Sequence, residues 1–200
     1  MKLAVLNYNM GNLASVINAL KIIGVDAKIE SDPSKISEYD KIILPGVGAF
    51  GDAMNHLKNI GMDSAIKDFA KSGKYMFGIC LGMQILFESS EEFGNHKGLG
   101  ILKGKVNKFK NLNVKIPHMG WNKVFAKNHD SIFKGLDSEF YLYFIHSYYI
   151  ETEKKNILGE TIYDKKFTSA VQNDNIFGLQ PHPEKSHKNG LHILKNFIEL

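Results

Sequence analysis

Residues 74–88 read KYMFGICLGMQILFE and contain the only cysteine of the chain, Cys80, between Gly78 and Gly82. The apolar run 75–79 has the length of a buried strand, and the residues after Cys80 have the pattern of a helix. A nucleophile at such a tight turn from strand to helix is exposed at the carboxyl edge of a sheet. The glycines on either side of it let neighbouring backbone come close. The stretch therefore predicts a strand that turns sharply into a helix at Cys80.

The surroundings of Cys80 decide whether it is a nucleophile or a core residue. The first free amide groups of a helix and its positive end favour a thiolate, and the amide of Leu81 can face a developing oxyanion. A lone cysteine is also commonly a small buried hydrophobe, so residues 78–82 leave both interpretations open. A reactive thiol needs a base, and the choice therefore depends on where a histidine lies.

Short apolar runs alternate with amphipathic segments through the first half of the chain. This alternation favours βα units and a largely parallel sheet. The predicted strands in this half are residues 3–6, 27–30, 41–44 and 75–79. The predicted helices are residues 13–23, 53–59 and 63–71, in addition to the helix that starts after Cys80.

From Gly98 onward the sequence changes to strand-like segments, which we expect to be antiparallel and to lie beside the parallel core. They are residues 99–102, 105–109, 121–125, 140–150, 157–163, and 169–172 paired with 176–179 around a polar turn. An amphipathic helix is predicted for residues 187–200. The predicted fold class is α/β, with a mostly parallel central sheet flanked by helices and an added antiparallel β region.

Length and composition are typical of a single globular domain that spans residues 1–200. Hydrophobic residues make up 44% of the chain, yet no apolar stretch approaches the roughly 18 residues that a membrane span needs. One cysteine forms no internal disulfide, so we expect a cytoplasmic protein. The net charge of +4 is modest and its lysines are dispersed. We therefore expect neither nucleic acid nor a membrane as a partner.

His182 is the best-placed base among the eight histidines. It follows a predicted strand, lies between Pro181 and Pro183, and has Glu184 two residues later. In an extended segment His182 and Glu184 point to the same side, so the carboxylate could orient the imidazole as in a Ser-His-Asp triad. Alone, this segment would be interpreted as a surface turn with incidental charge.

Together, the cysteine and histidine motifs resemble those of the class I (triad) glutamine amidotransferases. The flanking residues are similar to the glutaminase subunits of imidazole glycerol phosphate synthase, in histidine biosynthesis, over essentially the full chain. The matching runs are Asn9-Met10-Gly11-Asn12-Leu13, Pro45-Gly46-Val47-Gly48, Gly78-Ile79-Cys80-Leu81-Gly82-Met83-Gln84, Pro117-His118-Met119-Gly120-Trp121-Asn122, His146-Ser147-Tyr148-Tyr149 and His182-Pro183-Glu184-Lys185-Ser186. The run 117–122 is the most discriminating, because many amidotransferases share the cysteine and histidine motifs. The resemblance implies a flavodoxin-like sheet.

The resemblance also implies a reaction, in which the side-chain amide of L-glutamine is hydrolysed through a thioester. Cys80 would attack the amide carbon, His182 would transfer protons and Glu184 would orient His182. The ammonia would pass to a cyclase (synthase) subunit that forms a heterodimer with this chain. We expect weak activity in the chain alone, and stimulation when the docked partner turns a backbone amide of residues 46–48 toward the oxyanion.

Further residues take roles by the same resemblance. The oxyanion hole would consist of backbone amides at Val47, Gly48 and Leu81. The substrate-binding residues would be Gly46, Gln84, Ser147 and Tyr148. The residues near the synthase interface would be Asn9, Asn12, Pro117, Met119, Trp121, Tyr143 and Lys185.

A second glycine pattern, Gly46-Val47-Gly48-Ala49-Phe50-Gly51, also matches the Gly-x-Gly-x-x-Gly of dinucleotide-binding folds. Its context argues against that function. The fingerprint normally occupies the first βα turn and is followed about 20 residues later by an acid at a strand end. Here the pattern follows the third predicted strand. No His-Glu-x-x-His or paired-cysteine motif offers a metal site, so we expect neither cofactor nor metal.

Two positions depart from the family pattern. Pro181 stands where phenylalanine is usual, which removes an aromatic side chain and a backbone donor beside His182. Asn7 stands where aspartate is frequent.

Three alternative functions remain open. One is a sister glutaminase that feeds a different synthase, such as one that amidates a nucleotide-linked sugar. Another is a binding or regulatory module on the same scaffold without catalysis. The last is a cysteine peptidase or general hydrolase.

Overall fold

The structure is a computed structural model that describes residues 1–110 and 113–200. In those ranges the strands are β1 (Leu3–Leu6), β2 (Lys28–Glu30), β3 (Lys41–Gly46), β4 (Tyr75–Cys80), β5 (Ser89–Ser90), β6 (His96–Lys97), β7 (Gly104–Lys108), β8 (His118–Ala126), β9 (Glu139–His146), β10 (Tyr148–Thr152), β11 (Ile157–Tyr163), β12 (Lys165–Asn173) and β13 (Ile176–Leu179). The α-helices are α1 (Leu13–Ile22), α2 (Phe50–Asn59), α3 (Met62–Lys71), α4 (Leu81–Gln84) and α5 (His187–Glu199). Short 3-10 helices cover Pro33–Glu38, Lys154–Asn156 and Pro183–Lys185.

The parallel part of the sheet has the strand order β2-β1-β3-β4-β13, and every neighbouring pair in it is parallel. This is the order of flavodoxin-like sheets, in which ligands bind beyond the carboxyl ends of the strands. β12 pairs antiparallel with β13, and the sheet continues through β10, β7, β5 and β6. A ribbon of β8 and β9 joins the sheet through β11. The predicted fold class is confirmed.

Hydrophobic residues cover both faces of the parallel strands. Leu6 and Leu44 belong to the cluster that includes buried residues of α2 and α3, while their neighbours Val5 and Ile43 belong to the cluster of α1 and α5. Successive residues of a strand point to opposite faces, so a strand covered on both sides is apolar at every position. This explains why residues 3–6 and 41–44 are continuous apolar runs.

One predicted strand, residues 99–102, is wrong, because this segment is a loop. Its amides bond to carbonyls just beyond α4, from Leu99 to Ile85 at 2.8 Å and from Leu102 to Leu86 at 3.0 Å. Leu99 and Leu102 are buried in the core. The apolar pattern therefore reflects packing of a loop and not pairing in a sheet.

The predicted strand of residues 140–150 is in fact two strands. β9 ends at His146 and β10 begins at Tyr148, with Ser147 between them. β9 pairs with β8, whereas β10 pairs with β7 and β12, so the break lets the chain change partners. The break also lies beside the cavity described below.

Candidate active site

Parallel strands bring the candidate catalytic residues to one edge of the sheet. Cys80 ends β4, and its register partner on β3 is Gly46. β13 lies on the other side of β4 and leads directly into Gln180 and His182. Because parallel strands have their carboxyl ends at a common edge, residues 46–48, 80–84 and 180–184 converge there.

Cys80 adopts a backbone conformation that few L-residues have, with φ 55° and ψ −113°. The flanking glycines make this elbow fit: a Cβ on Gly82 would lie 1.8 Å from the Leu44 carbonyl oxygen, and one on Gly78 would lie 2.7 Å from the Gly82 carbonyl oxygen. The helix after the elbow, α4, has only four residues. A helix this short has only a small dipole, so α4 stabilises a negative charge at Cys80 less than a long helix would.

His182 and Glu184 form a buried pair. Nδ1 of His182 lies 2.7 Å from Oε1 of Glu184, and their side chains are 3% and 2% exposed. Burial lowers the pKa of His182, but the negative charge of the nearby Cys80 thiolate and hydrogen bonding to Cys80 and Glu184 outweigh burial and raise the pKa to about 10. His182 is therefore an imidazolium at neutral pH, bonded through Nδ1 to Glu184 and with Cys80 beside it.

The two side-chain atoms of this pair that do not bond to each other have no hydrogen-bond partner of good geometry among the described residues. They are Nε2 of His182 and Oε2 of Glu184. Because Nδ1 is bonded to Glu184, Nε2 is the nitrogen free to exchange a proton with Cys80 or a substrate. The Cys80 sulfur lies 3.7 Å from Nε2 of Gln180 and 4.0 Å from the Ile145 carbonyl oxygen.

A cavity of about 250 Å³ opens over Cys80. It is lined by Val47, Gly48, Cys80, Leu81, Gln84, Glu92, Ile145, His146, Ser147, Tyr148, His182 and Lys185. Most of the predicted catalytic and substrate-binding residues thus share one cavity. Gly46 is not in its lining; it lies below, where a Cβ would be 2.6 Å from Oη of Tyr8.

The side-chain amide of Gln84 is held in one orientation. Its Nε2 donates to the Tyr148 carbonyl oxygen at 3.4 Å and to Oε1 of Gln180 at 2.9 Å. These two bonds use both amide hydrogens, which leaves Oε1 of Gln84 as its only group for a ligand. Gln84 can therefore accept a hydrogen bond from an ammonium group but cannot donate one to a carboxylate.

Glu92 is a cavity residue that the sequence did not single out. Its Oε2 accepts from the Phe50 amide, the first of α2, at 2.7 Å. Burial raises the pKa of Glu92, although the Phe50 bond and His96 oppose the rise. No motif marks Glu92, since it lies in the short loop between β5 and β6.

The predicted oxyanion donors are not all free in this structure. The Val47 amide donates to the Met10 carbonyl oxygen at 2.9 Å, which directs it away from an oxyanion. Gly48 has φ 98°, a conformation that glycine adopts without strain. Leu81 is the first residue of α4, where helix amides have no partner within the helix. The role of Val47 therefore stays a prediction and requires its bond to Met10 to break.

The residues predicted at a partner interface are exposed or half-buried, and one of them, Lys185, also lines the cavity. Asn9, Asn12, Pro117 and Lys185 are exposed. The ribbon places Met119 opposite Ile145 and Trp121 opposite Tyr143 on its outer face. Together with Tyr141, these side chains form an apolar face, which we call the ribbon face: Met119, Trp121, Tyr141, Tyr143 and Ile145. Met119 is 59% exposed, Trp121 46% and Tyr141 50%.

The two departures from the family pattern have local explanations. Pro181 is buried beside His182 and has no amide to leave unpaired there. Asn7 stabilises the turn after β1, since its Oδ1 accepts from the Asn9 amide and its Nδ2 donates to Oγ of Ser31, both at 3.1 Å.

In the described ranges no three histidine, cysteine or acidic side chains are grouped as metal ligands would be. In the same ranges no helix has both the length and the apolarity needed to cross a bilayer.

Comparison with known proteins agrees with this geometry. Residues 4–200 match the family model described as glutamine amidotransferase class-I, and the chain belongs to that family. The structure of PurLQS from Thermotoga maritima has a similar fold, with a TM-score of 0.79 at 22% identity over 99% of this chain and 97% of that chain.

Within the family, the chain groups with proteins named imidazole glycerol phosphate synthase subunit HisH. The relative from Sulfurimonas denitrificans is 61% identical over 98% of this chain and 97% of its own length. That from Wolinella succinogenes is 54% identical over 98% of both. That from Aquifex aeolicus is 46% identical over 98% of this chain and 96% of its own.

Proposed function

We propose that this chain is the glutaminase subunit of an imidazole glycerol phosphate synthase, which hydrolyses L-glutamine and delivers the ammonia to a cyclase subunit. The observation that carries the proposal is the buried His182–Glu184 pair beside a thiol on a strained elbow, at the floor of a cavity of amino-acid size. A relative that is 61% identical carries the name of that synthase subunit.

In the first half of the proposed reaction, Cys80 reacts as a thiolate beside the His182 imidazolium. The thiolate attacks the side-chain amide carbon of glutamine, and the electron pair of the C=O bond moves to oxygen. When the tetrahedral intermediate collapses, the C–N bond breaks and His182 gives its Nε2 proton to the leaving nitrogen. Ammonia and a glutamyl thioester on Cys80 result.

The second half of the reaction regenerates the enzyme. His182 removes a proton from water, which attacks the thioester carbon and releases glutamate and the thiolate. Glu184 keeps Nδ1 of His182 protonated throughout, so that Nε2 alone exchanges protons, as in other triads.

The cavity supplies matching contacts for the α-amino acid end of glutamine. Oε1 of Gln84 and the carboxylate of Glu92 are acceptors for the α-ammonium group. The backbone of Ser147 and Tyr148 lines the same cavity and can bind the rest of the amino acid end. These groups select an amino acid over a peptide, because a peptide bond would neutralise the ammonium that the acceptors need.

The ribbon face is the proposed docking surface for the cyclase subunit. Ile145 belongs both to this face and to the cavity lining, so a partner on the face would cover the mouth of the cavity. Ammonia would then pass to the partner instead of to water. We accordingly propose a heterodimer in the cytoplasm.

Docking is also proposed to complete the oxyanion hole. The Val47 amide is bonded to Met10, while Val47 itself is 42% exposed and Asn9 beside Met10 is exposed as well. A partner that contacts this surface can break the bond and turn an amide of residues 46–48 toward the cavity. Loss of one oxyanion donor typically costs about 3 kcal/mol of barrier, so the chain alone would be only weakly active.

The test is glutaminase activity with and without the cyclase subunit of the same organism. We expect the cyclase to raise ammonia release by about 100-fold or more, as one recovered oxyanion donor allows. Cys80→Ser should abolish release in both conditions but leave complex formation unchanged. Equal rates with and without the cyclase would contradict stimulation by the partner. Ammonia release by Cys80→Ser would contradict the proposed role of Cys80 as the nucleophile.

The alternatives give different outcomes in the same assay. A sister glutaminase would be stimulated by another synthase and not by the cyclase. A binding module would form the complex but release no ammonia. A general hydrolase would cleave peptides that contain glutamine, which the proposal excludes.

A further inference from the structure

Two buried histidines form a hydrogen-bonded pair that the reaction described above does not use. His118 on β8 and His146 on β9 face each other in register, and Nδ1 of His118 lies 2.9 Å from Nε2 of His146. Nδ1 of His146 lies 2.7 Å from the Tyr148 carbonyl oxygen. At the other end, Nδ2 of Asn122 lies 3.1 Å from Nε2 of His118.

The groups at the two ends of this series of hydrogen bonds determine which atom donates in each bond. The Tyr148 carbonyl only accepts, so His146 must be protonated on Nδ1. Nε2 of His146 is then an acceptor, which requires a proton on Nδ1 of His118. Nε2 of His118 accepts in turn from the Asn122 amide. Both histidines are therefore neutral, with the proton on Nδ1, and no ring nitrogen lacks a partner.

Burial supports this neutral state. It lowers the pKa of His118 to about 4; it also lowers that of His146 to about 3, against a raising effect of the Tyr148 bond. The His118 ring is stacked between Phe144 and Tyr163, at centroid distances of 4.7 and 3.9 Å. The pair is thus rigidly held and does not titrate near neutral pH.

The series of hydrogen bonds continues from the Tyr148 carbonyl oxygen to the sulfur of Cys80. That carbonyl also accepts from Gln84, Gln84 donates to Gln180, and Gln180 donates toward the sulfur of Cys80. Asn122 and His118 lie on the strand whose outer face carries Met119 and Trp121. One continuous series of hydrogen bonds therefore joins the strand under the ribbon face to Gln84 and Cys80.

We propose that His118 and His146 are positioning residues of the glutaminase: through the Tyr148 carbonyl they fix the orientation of Gln84, whose free oxygen then faces the substrate ammonium. The proposal rests on the proposed function and deepens it. His118 does not touch the substrate. Without the N–H of His118, His146 is free to rotate and the Tyr148 carbonyl loses its stronger donor. This carbonyl then no longer has a fixed position, and the bond to Gln180 alone orients Gln84.

Two substitutions separate hydrogen bonding from packing. His118→Phe keeps an aromatic ring between Phe144 and Tyr163 but removes the N–H that His146 accepts. His118→Asn places an amide N–H near the former Nδ1 but loses the stacking. Val124→Ala is the matched control, because Val124 is fully buried on the same strand and belongs to the hydrophobic cluster that includes Phe144.

Steady-state kinetics of the complex with the cyclase subunit test the proposal. We expect His118→Phe to raise the KM for glutamine about tenfold with a smaller effect on kcat, because binding geometry is lost and not the nucleophile. We expect His118→Asn to raise KM by less than about threefold although it is the less stable variant, and Val124→Ala to leave KM unchanged. An unchanged KM in His118→Phe, or KM values that follow the order of thermal stability, would overturn the proposal.

A measurement on the wild-type chain alone is independent of activity. Nitrogen-15 NMR of the histidine rings should show both His118 and His146 protonated on Nδ1 and not on Nε2. A proton on Nε2 of either ring would break the series and overturn the proposal, whatever the kinetics. If the wild-type complex released no ammonia, the proposed function would fail instead, and the ring protonation would still decide whether the series exists.

Discussion

Ser186 fixes the backbone of the candidate catalytic residue His182. Its hydroxyl donates to the His182 carbonyl oxygen at 2.6 Å and accepts from the Tyr143 amide at 2.9 Å, while the His182 amide donates to the Tyr143 carbonyl oxygen at 2.9 Å. These bonds tie the turn of His182 to β9. The imidazole thus reaches Cys80 from a backbone that is fixed at both of its polar groups.

Ser186→Ala tests this fixation at the level of one residue. We expect kcat to fall about tenfold, since a small displacement of His182 misaligns proton transfer, and the free energy of unfolding to fall by about 1–2 kcal/mol. The control is Ser169→Ala on β12, because Ser169 is fully buried and also hydrogen-bonded, to Thr161 at 2.8 Å. Equal kcat values for the two variants, measured with the cyclase subunit at saturating glutamine, would contradict the role of Ser186.

The residues that the sequence could identify are those marked by local motifs. Gly-x-Cys-x-Gly and His-Pro-Glu are each contiguous motifs, and their joint resemblance to the class I glutamine amidotransferases predicted that Cys80, His182 and Glu184 act together. Glu92 and the His118–His146 pair could not be found in this way. They are brought to the site by a loop anchored on α2 and by the register of β8 with β9, which no short pattern encodes.

At the scale of elements, the elbow depends on direct packing of α4 against β3. A Cβ on Gly82 would be 1.8 Å from the Leu44 carbonyl oxygen, and one on Gly46 would be 2.7 Å from the Gly82 amide nitrogen. These contacts are between backbone atoms, so no side-chain movement can relieve the steric clash of an added methyl group. The helix and the strand must therefore separate if either glycine is replaced.

Gly82→Ala should destabilise the protein by about 3 kcal/mol or more and remove the activity, because it displaces the start of α4 beside Cys80. Gly24→Ala is a suitable control. Gly24 has φ 76° and no atom within 4 Å of its built Cβ, so only backbone strain of about 1 kcal/mol is expected. Urea denaturation gives both values, and similar losses in the two variants would show that the contact with Leu44 is easily relieved.

The ribbon of β8 and β9 is the second element with a functional prediction. Tyr141→Asp introduces a charge into the ribbon face without touching the cavity lining. We expect the dissociation constant of the complex to rise about tenfold or more and the activity of the free chain to stay unchanged. Ile29→Asp is the control, since Ile29 is 51% exposed on the opposite edge strand β2.

Sedimentation or calorimetric titration with the cyclase subunit measures the affinity of both variants. Equal affinities of Tyr141→Asp and wild type would show that the ribbon face is not the docking surface. A loss of affinity in Ile29→Asp as well would point to a general effect of added charge.

Periodicity predicted most elements of the fold because strands covered on both faces are apolar at every position and helices are amphipathic. It failed for residues 99–102, where a buried loop has the composition of a strand. It also missed the change of partner at Ser147, because a strand that crosses from one neighbour to another keeps its alternation. Both errors concern pairing, which depends on residues far away in the sequence.

For the whole molecule, buried histidines couple stability to pH. The folded-state pKa values of His118 and His146, about 4 and about 3, lie below the ordinary value of 6.5. Between these values and pH 6.5 the unfolded chain binds protons that the folded chain does not, so stability falls on acidification. His182 affects stability in the opposite direction, because its folded-state pKa is raised to about 10. Its contribution to folding stability is complete below pH 6.5 and is lost as the pH rises toward 10.

The wild-type protein should therefore lose stability between pH 6.5 and pH 4. In His118→Phe the slope of unfolding free energy against pH in this window should be shallower by about 1 kcal/mol per pH unit, since one buried neutral histidine is gone. Urea denaturation at several pH values measures both slopes. Val124→Ala should shift the whole curve downward and keep the wild-type slope; identical slopes in all three proteins would contradict the prediction.

The order of the strands along the chain has a consequence for synthesis. β13 stands between β4 and the antiparallel strands, yet it is made last and directly precedes His182. The thiol of Cys80 is therefore synthesised well before the imidazole of His182 and before the strand that positions this imidazole. Under the proposed mechanism, Cys80 stays inactive until β13 has been synthesised and has paired with β4.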